Sequence, residues 1–324
     1  MEVMQQFSST QWDERVQALG GGILQSSVWR EFQERVGRGS VQSEELEKWI
    51  WQGFVRQSKG LKYLMIPYGP VVLEDASEAL RGIELTADEQ GVDFVRLEPI
   101  GAVTESDMRS VGAHQIHEID PQHTAMLDLT KSEEELHRAM QSGHRNLINT
   151  AEKRGISIER VDDLSPMDDF LRLLADTARF NHITNLPDSY YRHLAETLLD
   201  HKSGCFYVSS VEGKPASISL VYDWGDTRTY AYAANDQVLN RQYKVAVAAL
   251  WRMIVDAKSA GMQHFDFWGV APEDQPDHKW AGITKFKMGF GGERVNTIGT
   301  WDMPIKRYKY RAYRAYRSLR RMDK

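Results

Sequence analysis

The sequence predicts an α/β protein of two tandem domains, each a mixed, mainly antiparallel sheet with flanking helices. Three observations carry this. The chain has 324 residues, room for about two domains at ~150 residues each. Its second half reads helix, three strands in a meander, helix, strand. Its first half carries a fainter version of that order, helix, strands, helix, strand, without a clear sequence repeat.

The elements follow in order. Residues 27–36 (Ser-Val-Trp-Arg-Glu-Phe-Gln-Glu-Arg-Val) predict a short amphipathic helix capped by Ser27. Residues 49–57 and 62–72 predict strands. Pro67, Gly69 and Pro70 interrupt the second, which implies an edge, a bulge or a strand end. A helix at about 76–90 and a strand at 92–98 complete the first set. Residues 118–128, with Pro121 in their middle, read as a connecting segment. Ser132 and Glu135 form a capping box for a helix reaching Met140. A polar, basic helix over 142–154 stops at Gly155. Helices at 166–179 and 188–201 are split by Asn185-Leu-Pro187. Three strands follow near 205–211, 215–223 and 228–234, with turns at Glu212-Gly213-Lys214 and Trp224-Gly225-Asp226. A helix at 243–260 ends before Gly261, and Phe265-Asp-Phe-Trp268 is a strand. Residues 269–283 form the longest irregular stretch, a length that loops in compact domains reserve for function or motion.

Composition narrows the class. Hydrophobic residues make up 41% and charged residues 27%, ordinary for a globular chain. Cys205 is the single cysteine, which excludes an internal disulfide and a thiolate zinc site and points to a reducing cytoplasm. The N-terminus lacks the basic-then-apolar pattern of a signal peptide. No window approaches ~20 apolar residues. Net charge is −6, unevenly placed: residues 306–324 hold nine Lys/Arg against one acid. A basic tail on an acidic body implies an anionic partner at that end.

Familiar catalytic motifs are missing. The chain has no Gly-x-Ser-x-Gly elbow, no phosphate loop and no His-Glu-x-x-His. What stands out is Lys285-Phe-Lys-Met-Gly-Phe-Gly-Gly292, followed by Gly299 and Asp302. A lysine held beside aromatic rings and a glycine turn can stabilise a negative charge that develops in a transition state. The bland alternative for Lys287 is a surface strand lysine in a salt bridge.

Three strands, helix and strand is also the core order of acetyltransferase-type (GNAT) acyltransferases. In those enzymes the helix after the meander opens with Arg/Gln-x-x-Gly-x-Gly/Ala, whose amides hold the pyrophosphate of an acyl-coenzyme A. The matching place here is Arg241-Gln-Tyr-Lys-Val-Ala246, with Lys244 where the glycine belongs. A side chain there hinders close approach to a phosphate.

Seven pieces in order resemble the Fem family (FemA, FemB, FemX, MurM) of non-ribosomal peptidyltransferases. They are Ile23-Leu-Gln-Ser-Ser-Val-Trp-Arg-Glu-Phe32, Tyr63-Leu-Met-Ile-Pro-Tyr-Gly-Pro-Val71, Phe94-Val-Arg-Leu-Glu-Pro99, Thr124 to Leu129, His144-Arg145, Tyr230-Ala-Tyr232 and the Lys287 segment. No long helical-hairpin arm is inserted, so the chain resembles the compact FemX form. The resemblance implies two GNAT-like domains: residues 1–125 with 300–324, closed by the C-terminal helix, and residues 126–299. It implies an aminoacyl-tRNA donor and an acceptor that is lipid II or a nucleotide-linked muropeptide. The ester of the donor is already activated, so no cofactor or metal is implied. DNA is not among the implied partners.

Roles carry over residue by residue. Lys287 matches the family lysine implicated at the oxyanion, with Phe286 before it. Tyr190 and Tyr232 match tyrosines that contact the precursor. Glu98 matches an acidic residue at a strand end, whose structural alternative is a salt bridge with Arg96. Gln33 and Leu186 stand where the best-known members grip the precursor's diphosphate with a lysine and an arginine. Arg30 or Arg35 could replace the first cation. For the tRNA, the cations on offer are the helix with His144, Arg145, Lys153 and Arg154, then Lys244, and the basic tail. In the tail, Tyr310, Tyr313 and Tyr316 repeat at near-helical spacing and are expected to face inward. The same tail suits peripheral contact with the anionic inner face of the plasma membrane. Two rival readings stay open at this point: an acyl-coenzyme A N-acyltransferase, and an inactive relative that binds tRNA or envelope.

Overall fold

The structure, a computed structural model, describes residues 8–45, 47–58, 60–181 and 184–322. In chain order the elements are α1 (Ser9–Ala18), α2 (Ser27–Arg35), β1 (Ser40–Glu45), β2 (Trp49–Ser58), β3 (Leu61–Ile66), β4 (Val71–Val72), α3 (Ala76–Glu89), β5 (Phe94–Leu97), β6 (Ile100–Gly101), α4 (Glu105–Ser110) and β7 (His114–Gln115). Then come β8 (His123–Asp128), α5 (Glu133–Ala139), α6 (Ser142–Thr150), β9 (Ile156–Val161), α7 (Met167–Asn181), α8 (Asp188–Asp200), β10 (Gly204–Val211), β11 (Lys214–Trp224) and β12 (Thr227–Asn235). The chain ends with α9 (Gln237–Tyr243), α10 (Val245–Ser259), β13 (His264–Gly269), α11 (Ala281–Met288), β14 (Glu293–Asn296), β15 (Trp301–Pro304) and α12 (Arg307–Met322). Contacts divide the chain into two compact units, Met1–Gln122 with Thr297–Lys324, and His123–Asn296.

In the first unit the sheet runs β6-β4-β2-β3-β5-β15-β7, with β1 paired to β2. Pairs β3/β5 and β4/β6 are parallel and the others antiparallel. Asp75 caps α3, whose Ala76, Ala79, Leu80, Ile83 and Ala87 recur every three or four residues and bury against the sheet. Their neighbours are Trp49, Trp51, Leu64, Ile66, Leu97 and Trp301. Each large apolar side chain buried there stabilises by roughly 1.5–3 kcal/mol. Strand β15 sets Asp302 opposite Arg96. The carboxylate accepts from Arg96 Nε at 2.7 Å and Nη2 at 2.9 Å, and from the Tyr310 hydroxyl at 2.8 Å. A salt bridge between Glu98 and Arg96 was the structural alternative for Glu98. The fork goes to Asp302 instead, because the register puts that carboxylate directly across the strand pair.

The second unit holds the sheet β14-β8-β13-β12-β11-β10-β9. Only β12 and β13 are parallel. Helix α10 buries Val247, Leu250, Met253 and Ile254 against this sheet's core.

Several expectations are corrected. Residues 118–128 are not all connection: β8 is an interior strand, with Ala125 and Leu127 fully buried. Pro121 and the flanking polar residues disguised its alternation. The predicted helix at 243–260 is α10, starting two residues later; a further helix, α9, precedes it unexpectedly, and Lys244 between them has a left-handed φ of 56°. The Lys287 segment is helical up to Met288, so a surface strand is excluded. Tyr310 is 2% exposed, but Tyr316 is 43% exposed. A step of three residues falls about 60° short of a helical turn, so Tyr316 has drifted off the inward face. Strands β1, β6, β7, β9, β14 and β15 and helices α1, α4 and α9 had no expectation behind them.

Candidate active site

The site in the second unit arises from a divergence. Strands β12 and β13 pair only from Thr227/His264 to Thr229/Asp266. Past Asp266 the register of β13 shifts, and Gly269 pairs with Thr124 of β8. Strand β12 meanwhile stays with β11 through Asn235. The gap opens into a cavity of about 1250 Å³. Its walls include Tyr230, Ala231 and Ala233 of β12, Trp268 of β13, Arg241 of α9, Lys244 at the start of α10, and Ile283, Phe286 and Lys287 of α11.

Lys287 is 7% exposed, and its Nζ donates to the Gly269 carbonyl at 2.7 Å. Burial pulls its pKa down to about 8, opposed by the charge of Asp266. Asp266 is also 7% exposed. Burial pushes its carboxyl up to about 6, against the Trp268 amide, which donates to it at 2.8 Å, and against Lys287. Trp268 sits at φ 62°, an uncommon conformation for a bulky residue that costs of order 1–3 kcal/mol. The kink lets its amide reach Asp266 as the strand turns away. Last-turn placement on α11 also suits a cation, since the helix dipole is negative there.

The lysine's helix is fixed from two sides. Thr284 Oγ1 accepts from the Ala271 amide at 2.7 Å. His144 Nε2 lies 3.0 Å from the Phe286 carbonyl, and its ring packs on Phe290 at 4.6 Å. His144 is buried, and burial lowers its pKa, opposed by the Phe286 carbonyl. It was grouped with the tRNA cations, but it is an interior, neutral group that satisfies a free carbonyl at the end of α11. Gly289 packs so closely that a Cβ would lie 2.5 Å from Gln141 Nε2.

The other expected residues fall as follows. Lys244 is exposed on the cavity rim beside Arg241. Arg154 is half-buried and donates to the Gln242 carbonyl at 3.2 Å, bracing α9, while Lys153 is exposed. Arg145 donates to the carbonyls of Met140 and, at 3.1 Å, Arg138. Tyr190 and Tyr232 are half-buried and meet through Tyr191, each ring 5.6 Å from it, edge to face. That cluster is separate from the cavity wall around Lys287.

In the first unit, Glu98 is buried. It accepts from the Asp120 amide at 2.9 Å, the Thr300 hydroxyl at 2.8 Å and the Tyr68 amide at 3.5 Å. Burial, joined by the charge of Asp120, holds its pKa well above the carboxylate range. Gln33 is 0% exposed and accepts from Arg38 at 2.5 Å. Arg30 is half-buried and donates to Gln42 and, at 3.4 Å, to Ser9.

Sequence reasoning missed Asp266, Trp268 and the role of His144. The one available signal was an acid inside an aromatic strand, Phe265-Asp-Phe-Trp268. Among the described residues no group of three His, Cys, Asp or Glu could hold a metal ion. No helix among them is long and apolar enough to cross a membrane.

Comparison with known proteins follows the geometry. Aminoacyltransferase FemA of Staphylococcus aureus is 31% identical over 81 residues, 25% of this chain. The matched stretch spans 19% of the length of that relative. The crystal structure of FemX superposes with a TM-score of 0.80 at 16% identity, covering 95% of this chain and 98% of that one. A tandem GNAT protein from the clavulanic acid biosynthesis pathway superposes with a TM-score of 0.52 at 11% identity, over 82% of this chain and 83% of that one. These two likenesses establish the fold of two GNAT-like sheets. The sequence model of the FemAB family matches residues 54–215 and 212–318, and with nearly the whole fold and most of the sequence accounted for, the chain belongs to the FemAB family.

Proposed function

We propose that the protein transfers an aminoacyl group from aminoacyl-tRNA to an amine of a peptidoglycan precursor. The observation that carries this is Lys287: a desolvated cation in the wall of a cavity large enough for an aminoacylated nucleoside. The acceptor nitrogen attacks the ester carbonyl carbon. A C–N bond forms, and the C–O bond to the terminal ribose breaks. The ribose oxygen leaves with the electron pair and takes the proton that the amine gives up. Between these events the carbonyl oxygen carries negative charge. Lys287 uses one N–H on Gly269 and has two left for that oxygen. A cation pre-positioned in a water-poor site stabilises such a charge far more than one in bulk water. Phe286 forms the neighbouring wall and transmits the His144 anchor to the lysine.

Membership of the FemAB family and a relative named as an aminoacyltransferase support the reaction class. The uncharged Gln33 and Leu186 favour a lipid-linked acceptor over a nucleotide-linked one. Such an acceptor would bring the enzyme to the inner face of the plasma membrane. Tyr190, Tyr232 and Glu98 are the acceptor-side residues in this reading, and Lys244, with Lys153 and with Arg154, which bonds the Gln242 carbonyl, serves the tRNA. The test is incubation with a mixture of charged tRNAs and lipid II, read by mass spectrometry. The expected result is a lipid II species heavier by one amino-acid residue. No such increment with any donor refutes the function.

A further inference from the structure

A second set of cations lies in the first unit, where the start of the basic tail meets Lys62. Lys62, Lys306 and Lys309 converge on a cavity of about 460 Å³ lined also by Asp93, Ser58 and Gly91. Lys62 Nζ donates to the Gln90 carbonyl at 2.6 Å, and Lys306 Nζ to the Gly91 carbonyl at 2.7 Å. Lys309 and Lys306 reach Asp93 at 3.1 and 3.4 Å. Each ammonium therefore keeps N–H groups that these contacts do not use. One buried carboxylate pairs with two of the three ammonium groups, and the Lys62 ammonium bonds only a carbonyl, which leaves an uncompensated positive charge around a polar hollow. Asp93 remains anionic. Burial raises its pKa, but the Lys62 amide and the Lys309 and Lys306 side chains outweigh that and hold it below the usual range.

The hollow continues onto α12. The helix docks through Tyr310, and Arg307, Tyr308, Arg311, Ala312, Arg314 and Ala315 are all exposed, with Arg307, Arg311 and Arg314 forming a stripe along one flank. Tyr308 is 73% exposed. Among the described residues, Arg307, Arg311 and Arg314 have no carboxylate within ion-pair distance. Three cations beside an exposed tyrosine and small residues are the chemistry of a lipid–water interface. Tyrosine rests at headgroup depth and arginine meets the phosphates. A hollow of this size takes a single glycerophosphate head.

We propose that the exposed arginine stripe of α12, with the Lys62–Lys306–Lys309 hollow, docks on a bilayer of anionic phospholipid. The arginine ridge supplies the attraction, and the hollow seats one headgroup phosphate. Attraction to an anionic surface is worth ~1 kcal/mol per cation, so three arginines raise partitioning roughly a hundredfold.

The test is co-sedimentation of the full chain with vesicles. Phosphatidylcholine vesicles are compared with vesicles in which roughly a quarter of the lipid is phosphatidylglycerol. Binding is expected only to the second kind, and it should weaken steeply as salt shortens the screening length. The Arg307→Gln/Arg311→Gln/Arg314→Gln variant should lose roughly a hundredfold in partition coefficient. Its melting temperature should not change, because these side chains make no ion pair in the fold. Lys306→Gln should lose less, and glycerol 1-phosphate should compete with wild type only. Equal binding to neutral vesicles, or an unchanged triple variant, overturns the proposal. So does a triple variant that keeps vesicle binding but loses binding of uncharged tRNA in a filter assay, which would assign the ridge to nucleic acid.

Discussion

Replacing Lys287 with methionine isolates the charge while keeping the length of the side chain. If the ammonium stabilises the oxyanion, its removal costs about 10²–10³ in rate, or about 2.7–4 kcal/mol of transition-state stabilisation. The fold should lose less. The Gly269 carbonyl loses its donor, which costs about 1–3 kcal/mol if nothing replaces it. Asp266 loses the charge that opposed its upward shift. Its carboxyl, already at about 6, then rises further and takes up a proton near neutrality. A buried anion is thereby avoided. Lys287→Met should therefore melt only modestly lower while single-turnover transfer, followed by quench and mass spectrometry, falls by two orders of magnitude or more. A variant that melts normally and transfers within about threefold of wild type refutes the role of Lys287 as oxyanion donor.

The pH dependence gives the same claim a sign. With a pKa of about 8, Lys287 is mostly cationic at neutral pH and loses its charge as pH rises through that value. A rate that needs the cation falls on the alkaline side. Asp266 raises the Lys287 pKa, so Asp266→Asn should move that limb to lower pH. An alkaline limb that stays in place separates Asp266 from the lysine.

Other expectations follow from single contacts. Asp302→Asn breaks a buried fork with Arg96 and should cost about 3–5 kcal/mol in urea denaturation. Lys244→Gly relieves a left-handed residue and should stabilise by about 1 kcal/mol, whereas Lys244→Ala should not. The described cavity wall carries Lys287, Lys244 and Arg241 but no acid. One tRNA charged in turn with leucine and lysine should therefore transfer leucine faster, and the reverse order would contradict the electrostatics of that wall. His144→Phe keeps the ring but removes the contact to the Phe286 carbonyl. It should lower kcat with little change in KM for the acceptor.

Much of the fold was legible because local signals agreed. The Ser132–Glu135 capping box forms with both hydrogen bonds. The meander at 204–235 follows its Gly-containing turns. What stayed hidden depends on pairing across long sequence separations. Strand β15 has four residues, too few to show a period, and becomes a strand because Arg96 and Asp302 meet across about 200 residues. Lys287 was legible as chemistry, yet not as geometry. Its helix depends on His144 and the exit of β13, neither adjacent in sequence. Asp266 was hidden because an acid within a strand reads as solvent-facing. Here the carboxyl is buried, and the strand kinks at Trp268 so that its amide meets it.

The start of α10 explains why a GNAT-type sheet need not take coenzyme A. In that architecture the pyrophosphate is held by free amides at the N-terminus of this helix. Two of those amides are already engaged. The Ala246 amide donates to Asn240 Oδ1 at 3.3 Å, and the Lys244 amide to the Asn240 carbonyl at 2.8 Å. The left-handed conformation that glycine would adopt freely is kept by Lys244, whose side chain crowds the approach. A backbone cradle is thus filled from within, and two flexible cations, Lys244 and Arg241, stand on the rim instead. A cradle selects a phosphate by geometry at fixed distance. Rim cations select a polyanion by charge and tolerate its shape. Coenzyme A presents a compact pyrophosphate and needs the first; a tRNA end presents phosphates strung along a backbone and is served by the second. Calorimetry with acetyl-coenzyme A should accordingly give no binding to the wild type. Tight binding would mean that the cradle opens, and with it the case for an ester donor at Lys287 would fall.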